Sequence, residues 1–168
     1  MSIVAVNGSP SHPSRSRTLA VHVLDLVGGG EVIDLADLDP AGLLALRPDR
    51  GVEAAVAQVA AAEILVVATP VYRATYTALT KTIFDLLLQD GLAGTVVIPI
   101  ATGYSADHHL AVDHGLRPLI ASLGGWTVPT GLYATKADIA DDGTLSEPLI
   151  ASASRAATEA RTLADALR

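Results

Sequence analysis

Short β-branched apolar runs alternate with segments of helical apolar spacing about five times along this chain, and that alternation restricts the fold more than any other feature. Ile64-Leu65-Val66-Val67-Ala68 is the clearest of the runs, and Thr69-Pro70 closes it as a turn. Ile3-Val4-Ala5-Val6, ending at Asn7-Gly8, reads as an earlier buried strand, and Glu31 to Leu35 as a second. Thr95 to Ile100 reads as a fourth strand, interrupted by Pro99 near its end, and Trp126 to Ala134 as a fifth. Helices are expected over Thr18 to Val27, stopped by Gly28-Gly29-Gly30, and over Glu53 to Ala62 and Leu79 to Leu88. Two more are expected over Leu110 to Leu123, with Pro118 inside, and Glu147 to Leu167. Asp37 to Gly51, broken by Pro40 and Pro48, reads as a connector.

Such a pattern predicts an open α/β sheet of parallel strands with helices on both faces. Five strands fit the flavodoxin-like order 2-1-3-4-5, a three-layer sandwich, better than a six-stranded Rossmann sheet. At 168 residues, one domain over 1–168 is expected. Only 4% of residues are aromatic, so the core must be built mainly from Ala, Val, Leu and Ile.

Charge and composition exclude several classes. The net charge is −7 with no basic stripe, which argues against nucleic acid as a partner. There is no cysteine, so disulfides, thiolate chemistry and Cys-held metals are absent, and redox chemistry must fall to an organic cofactor or to a metal on His and carboxylates. The apolar run Ser2 to Val6 is short and lacks a basic leader, and no later run reaches the ~20 residues of a bilayer span, so a cytoplasmic protein without membrane association is expected.

In a doubly wound sheet, ligands bind at the carboxyl ends of the strands, near the switch in strand order. The first such loop carries five hydroxyls, Ser9, Ser11, Ser14, Ser16 and Thr18, just before a helix, with Arg15 and Arg17 among them. A helix start offers free N–H groups and partial positive charge, so this segment suits a phosphate monoester. Neither G-x-G-x-x-G nor a Walker loop is present, which disfavours a diphosphate cradle and suits a flavin mononucleotide. A plain helix cap in a solvated loop would use the same residue types. The segment after the third strand, Thr69 to Tyr76, should share that rim. Tyr72 and Tyr76 offer flat faces beside backbone amides, as an isoalloxazine ring requires; surface tyrosines on a tight turn are the plainer alternative.

Gly8-Ser9-Pro10 with Pro13-Ser14-Arg15-Ser16, Ala68-Thr69-Pro70-Val71-Tyr72, Ala101-Thr102-Gly103, and Leu110-Ala111-Val112-Asp113 together resemble the NAD(P)H-dependent FMN reductases of two-component alkanesulfonate monooxygenase systems. The resemblance runs from the first strand through Leu116-Arg117-Pro118-Leu119. It implies a flavodoxin-like fold, FMN as the flavin and NADPH or NADH as the reductant. Ser9, Ser14, Arg15, Ser16 and, beside them, Thr18 are implied to hold the phosphate. Pro70, Val71, Tyr72 and Arg73 are implied to line the ring, with Thr102 and Gly103 on its other side. No side chain is required as an acid or base; hydride passes from nicotinamide C4 to flavin N5, and reduced FMN goes to a partner FMNH2-dependent monooxygenase.

Three positions depart from the family pattern. Ser11 stands where many relatives have Arg, which throws more of the phosphate charge onto Arg15 and Arg17. Tyr104 stands where a second Gly is usual, either to stack near the nicotinamide or to narrow its site. His114 stands where the alkanesulfonate-type reductases have Tyr, in a helix with a one-residue π-bulge at the tetramer interface, and where other sulfonate-system reductases have His; the resemblance leaves the bulge open here and implies a homo-oligomer, tetramer or dimer, through that helix.

Other chemistries fit less well. His108, His109, Asp107, Asp113 and His114 lack the spacing of a metal site, since helical neighbours four apart share a face and adjacent ones do not. The G-x-S-x-G elbow of a serine hydrolase is missing. A flavodoxin-like electron carrier remains a rival without NAD(P)H turnover, and an FMN-retaining quinone, azo or chromate reductase is a second.

Overall fold

The computed structural model describes all residues, Met1–Arg168. Its strands are β1 (Ile3–Asn7), β2 (Glu31–Asp34), β3 (Ile64–Tyr72), β4 (Thr75–Tyr76), β5 (Val96–Thr102), β6 (Trp126–Thr127) and β7 (Leu132–Ala134). The helices are α1 (Arg15–Val27), α2 (Pro40–Leu43), α3 (Arg50–Ala60), α4 (Ala78–Asp85), α5 (Arg117–Ala121) and α6 (Glu147–Ala166). The sheet runs β2-β1-β3-β5-β6, with β7 also on β5 and β4 on β3. All pairings are parallel except β3 with β4. With β6 and β7 taken as two halves of one strand, this is the expected order 2-1-3-4-5, in seven strand segments instead of five.

Alternation along the strands builds two cores. Ala5, Ile64, Val66, Ala68, Ile98 and Ile100 face α1 and α6, whereas Val6, Leu65, Val67, Val97 and Ala101 face α3, α4 and the segment before α5. Burial of each large aliphatic side chain stabilises the fold by about 1.5–3 kcal/mol. The stripe Ala153, Ala156, Ala157, Ala160 and Ala164 lets α6 lie close against the sheet and α1 without aromatic filler.

Two expectations about prolines need correction. Pro99 does not interrupt the fourth strand; it pairs in register with Val67. The Val97 carbonyl accepts from Val128 N–H at 3.0 Å, so residues 97, 99 and 101 turn their backbone groups toward the fifth strand. The N–H that Pro99 lacks therefore falls opposite Val128 to Gly131, between β6 and β7, and the fifth strand is the one that breaks. Pro70 does not begin a turn either: β3 continues through it, in register with Thr102, to Tyr72. Pro118 does lie inside helical backbone, directly after the π-helical turn Val112–Leu116, so the helix widens just before the residue that lacks an N–H.

The helix expected over Leu110 to Leu123 forms continuously over residues 110–121, with a π-helical turn Val112–Leu116 running into α5, and a 3-10 turn Ala106–His109 precedes it. No helix is long and apolar enough to cross a membrane. No three His, Asp or Glu side chains are grouped so as to hold a metal ion.

Candidate functional site

Register gathers the strand ends on one rim. Asn7 lies beside Ala68, and Pro70 beside Thr102, so the loops after β1, β3 and β5 leave the sheet together. α1 starts three residues earlier than its apolar period suggested, at Arg15, because Ser14 caps it: Ser14 Oγ accepts from Arg17 N–H at 3.3 Å. Thr18 N–H bonds the Ser14 carbonyl at 3.0 Å, but the amides of Arg15 and Ser16 find no acceptor in the chain. Two N–H groups thus point out of the helix start, at the positive end of its dipole.

The five hydroxyls of this loop do different things. Ser16, buried, donates to Asn7 Oδ1 at 2.8 Å, so in its 2.8 Å contact with Ser14 Oγ the proton is Ser14's. Ser9 Oγ accepts from Ser11 N–H at 3.2 Å, and Thr18 Oγ1 donates to the Ser14 carbonyl at 3.2 Å. Ser9, Ser16 and Thr18 therefore shape the loop, and Ser14 stands at its mouth. Arg15 and Arg17 leave the helix start for different partners. Arg17 Nε donates to Asp34 Oδ2 at 2.7 Å, and Asp34 Oδ1 accepts from Asn7 Nδ2 at 2.8 Å. Arg15 Nε donates to the Ile139 carbonyl at 3.2 Å and Nη2 to Asp141 Oδ1 at 2.8 Å. The hydrogen bond from Arg15, and then that from Lys136, holds the Asp141 carboxyl below the usual range. Ser14 and Thr18 border two hollows: one of about 150 Å3 shared with Arg15, Ile139 and Gly143, and one of about 580 Å3 shared with His12, Arg17 and Asp37.

Beyond Pro70, β3 forms a tight hairpin with β4, pairing Val71 with Tyr76 and Tyr72 with Thr75. Arg73 and Ala74 make its two-residue turn at φ 53° and 67°, a left-handed conformation that favours Gly or Asn. The turn holds Arg73 exposed at the tip and leaves Tyr72 half-exposed on the rim. Thr102 is buried at the end of β5, and Gly103 lies against Tyr133: a Cβ there would come within 2.1 Å of Tyr133 Oη. Tyr133 in turn donates to the Ser105 carbonyl, and burial, with Asp107 and Asp138 nearby, pushes its hydroxyl pKa up. Tyr104 is 95% exposed.

A buried threonine cluster joins the loop after β1 to the end of β3 and was not foreseen from sequence. Thr77 Oγ1 donates to the Gly8 carbonyl at 2.7 Å and accepts from Thr80 N–H at 3.0 Å as the cap of α4. Thr80 Oγ1 donates to Thr69 Oγ1 at 2.8 Å. A Cβ on Gly8 would fall 1.9 Å from Thr80 Oγ1, so only glycine fits there. The signals were present: Asn7-Gly8 after a strand, and a Thr three residues before another Thr at a helix start. What tied them together was tertiary contact across 69 residues.

The π-helical turn belongs to the same assembly. A Cβ on Gly115 would lie 2.9 Å from Thr75 Oγ1, so the turn packs against β4, the strand that follows Arg73. His114 is exposed on its outer side. Arg117 anchors the far end, donating to Thr127 Oγ1 at 3.0 Å and to the carbonyls of Val128 and Pro129 at 2.7 Å each.

The donor set suits a phosphate monoester beside a flat ring: two free amides, the Ser14 hydroxyl and the Arg15 guanidinium at the start of α1, with Tyr72 across the rim. A parallel sheet with this rim defines a flavodoxin-like mononucleotide-binding protein. More narrowly, residues 1–139 match the model of the NADPH-dependent FMN reductases, and the chain belongs to that family. It is 38% identical to the NADH-dependent FMN reductase SfnF of Pseudomonas fluorescens over 97% of this chain and 91% of that protein. It is 37% identical to the FMN reductase (NADPH) of Pseudomonas aeruginosa over 96% of this chain and 91% of that one. Among solved structures it resembles the apo form of the NADH:FMN oxidoreductase EmoB at 34% identity and TM-score 0.85, covering 99% of this chain and 89% of the other.

Proposed function

We propose that this chain reduces FMN with NAD(P)H and delivers reduced FMN to a partner monooxygenase, one acting on sulfonates. Membership of the family supports the first half of that reading: an NAD(P)H-dependent FMN oxidoreductase. The observation that carries it is the pair of free amides at Arg15 and Ser16, on a helix start capped by Ser14 and tied through Asn7 and Gly8 to the loop after β3.

The residues take distinct roles. The amides of Arg15 and Ser16, the Ser14 hydroxyl and the Arg15 guanidinium bind phosphate oxygens. Ser9, the Ser16 hydroxyl and Thr18 hold the loop in the shape that presents them. Pro70, Val71, Tyr72 and Arg73 lie along one side of the ring, and Thr102 and Gly103 along the other. Tyr104, projecting beyond Gly103, meets the nicotinamide. A bound FMN would supply N5 as the hydride acceptor, and the chain contributes alignment of the two rings without an acid or base of its own.

Chain 1–168 works as one FMN-binding domain, in the cytoplasm, where reduced nicotinamide is available. It assembles as a dimer or tetramer through the helix that contains His114. Exposed His114, and Leu110 at 49% exposure, support that surface as the interface.

Steady-state oxidation of NADPH and NADH, with FMN, FAD or riboflavin added, tests the activity. Turnover that requires added FMN, from protein purified without colour, is expected. No turnover would make the chain an electron carrier. Yellow protein that turns over quinones and keeps its flavin would overturn the supplier role.

A further inference from the structure

Arg15 is the one cation at the mouth of the candidate phosphate site that is not held by Asp34, yet its guanidinium is engaged elsewhere. Nε and Nη2 form the edge of a guanidinium that grips an oxyanion with two parallel bonds. In Arg15 that edge is filled: Nε by the Ile139 carbonyl and Nη2 by Asp141. The bond reaches from α1 to a loop 126 residues further along the chain.

That loop is braced. Ile139 is buried in the core beneath α1 and α6 and bridges to Leu145. Ala140 N–H bonds the Thr144 carbonyl at 2.9 Å, and Gly143 N–H bonds the Ala140 carbonyl at 3.0 Å. Asp138 Oδ2 ties down Thr135 N–H at 2.8 Å. Asp141 is thus set over the hollow shared by Ser14, Arg15 and Thr18, and Lys136 Nζ lies 3.4 Å from its other oxygen. It also falls beyond residues 1–139, the stretch matched by the family model.

We propose that Asp141 competes with the FMN phosphate for the bidentate edge of Arg15, and so keeps the flavin weakly held and exchangeable. The proposal rests on the reading of Arg15 as a phosphate ligand. A carboxylate and a phosphate carry like charge, so the two cannot share that edge without repulsion. Binding the phosphate through the Nε/Nη2 edge requires Arg15 to leave Asp141, and the lost ion pair is subtracted from FMN affinity. Riboflavin, which lacks the phosphate, does not meet this competition.

Flavin titration followed by fluorescence quenching, with FMN and with riboflavin, tests it on the full chain. Asp141→Asn is expected to bind FMN about two- to fivefold more tightly, the range set by an exposed ion pair. Riboflavin affinity should be unchanged, which also reports an intact fold. In an Arg15→Ala background the gain for FMN should vanish. Unchanged or weaker FMN binding by Asp141→Asn, with Arg15→Ala weakening FMN, would overturn the competition alone. Arg15→Ala with full FMN affinity would overturn the phosphate reading and the competition with it.

Discussion

Ser14 serves the fold and the ligand with one hydroxyl. As the cap of α1 it accepts from Arg17 N–H, and as a donor it can turn from Ser16 to a phosphate oxygen. Ser14→Ala should therefore cost about 1 kcal/mol of stability, the usual worth of a cap, and weaken FMN as well. Arg15 has no capping duty, so Arg15→Ala separates the two effects. A charged hydrogen bond is worth about 1.5–3 kcal/mol, roughly ten- to hundredfold in FMN affinity, with stability nearly unchanged. Chemical denaturation and flavin titration of both variants check this; full FMN affinity in both would remove the phosphate site from α1. At this scale the sequence was legible in residue type but not in role. Ser16 and Thr18 read as phosphate ligands from residue type, and the fold gives their hydroxyls partners in Asn7 and the Ser14 carbonyl. Hydroxyl direction depends on which neighbour the fold brings near, and a linear pattern of Ser and Thr does not encode it.

Between elements, the buried threonines act as a joint. Thr77 holds the Gly8 carbonyl and caps α4, while Thr80 reaches Thr69. Thr77→Val keeps the shape but leaves a buried carbonyl and an α4 amide without partners. A loss of about 1–3 kcal/mol is expected in denaturant melts, along with weaker FMN binding as the two loops lose their common anchor. Unchanged flavin affinity would show that the loops hold their relative positions without it. The π-helical turn is the second joint, packed on β4 through Gly115. His114→Ala should alter sedimentation or turnover and leave flavin binding in place; a variant identical to the parent in both would count against an interface there. Strand and helix runs were readable from apolar period, the long α6 included. Their ends were not. Pro99 marks a break one strand away from itself, because its missing N–H faces the neighbour. The continuation of β3 through Pro70 depends on β5 running alongside to Thr102.

On the scale of the whole molecule, a sheet of small aliphatic residues, buried on both faces, serves as a rigid frame. All of its candidate ligand contacts are on one rim, the carboxyl ends of β1, β3 and β5, where loops can vary without disturbing the core. The order of the sheet was legible because five apolar runs separated by helices admit few right-handed arrangements. The reach of the loop around Asp141 back to α1 was not, since nothing in the composition of that loop specifies its partner. The direct test is a crystal structure of the full chain with FMN. The phosphate should lie against the amides of Arg15 and Ser16, with the ring beside Tyr72 and Gly103. A flavin bound elsewhere, with the start of α1 free of phosphate, would contradict the account.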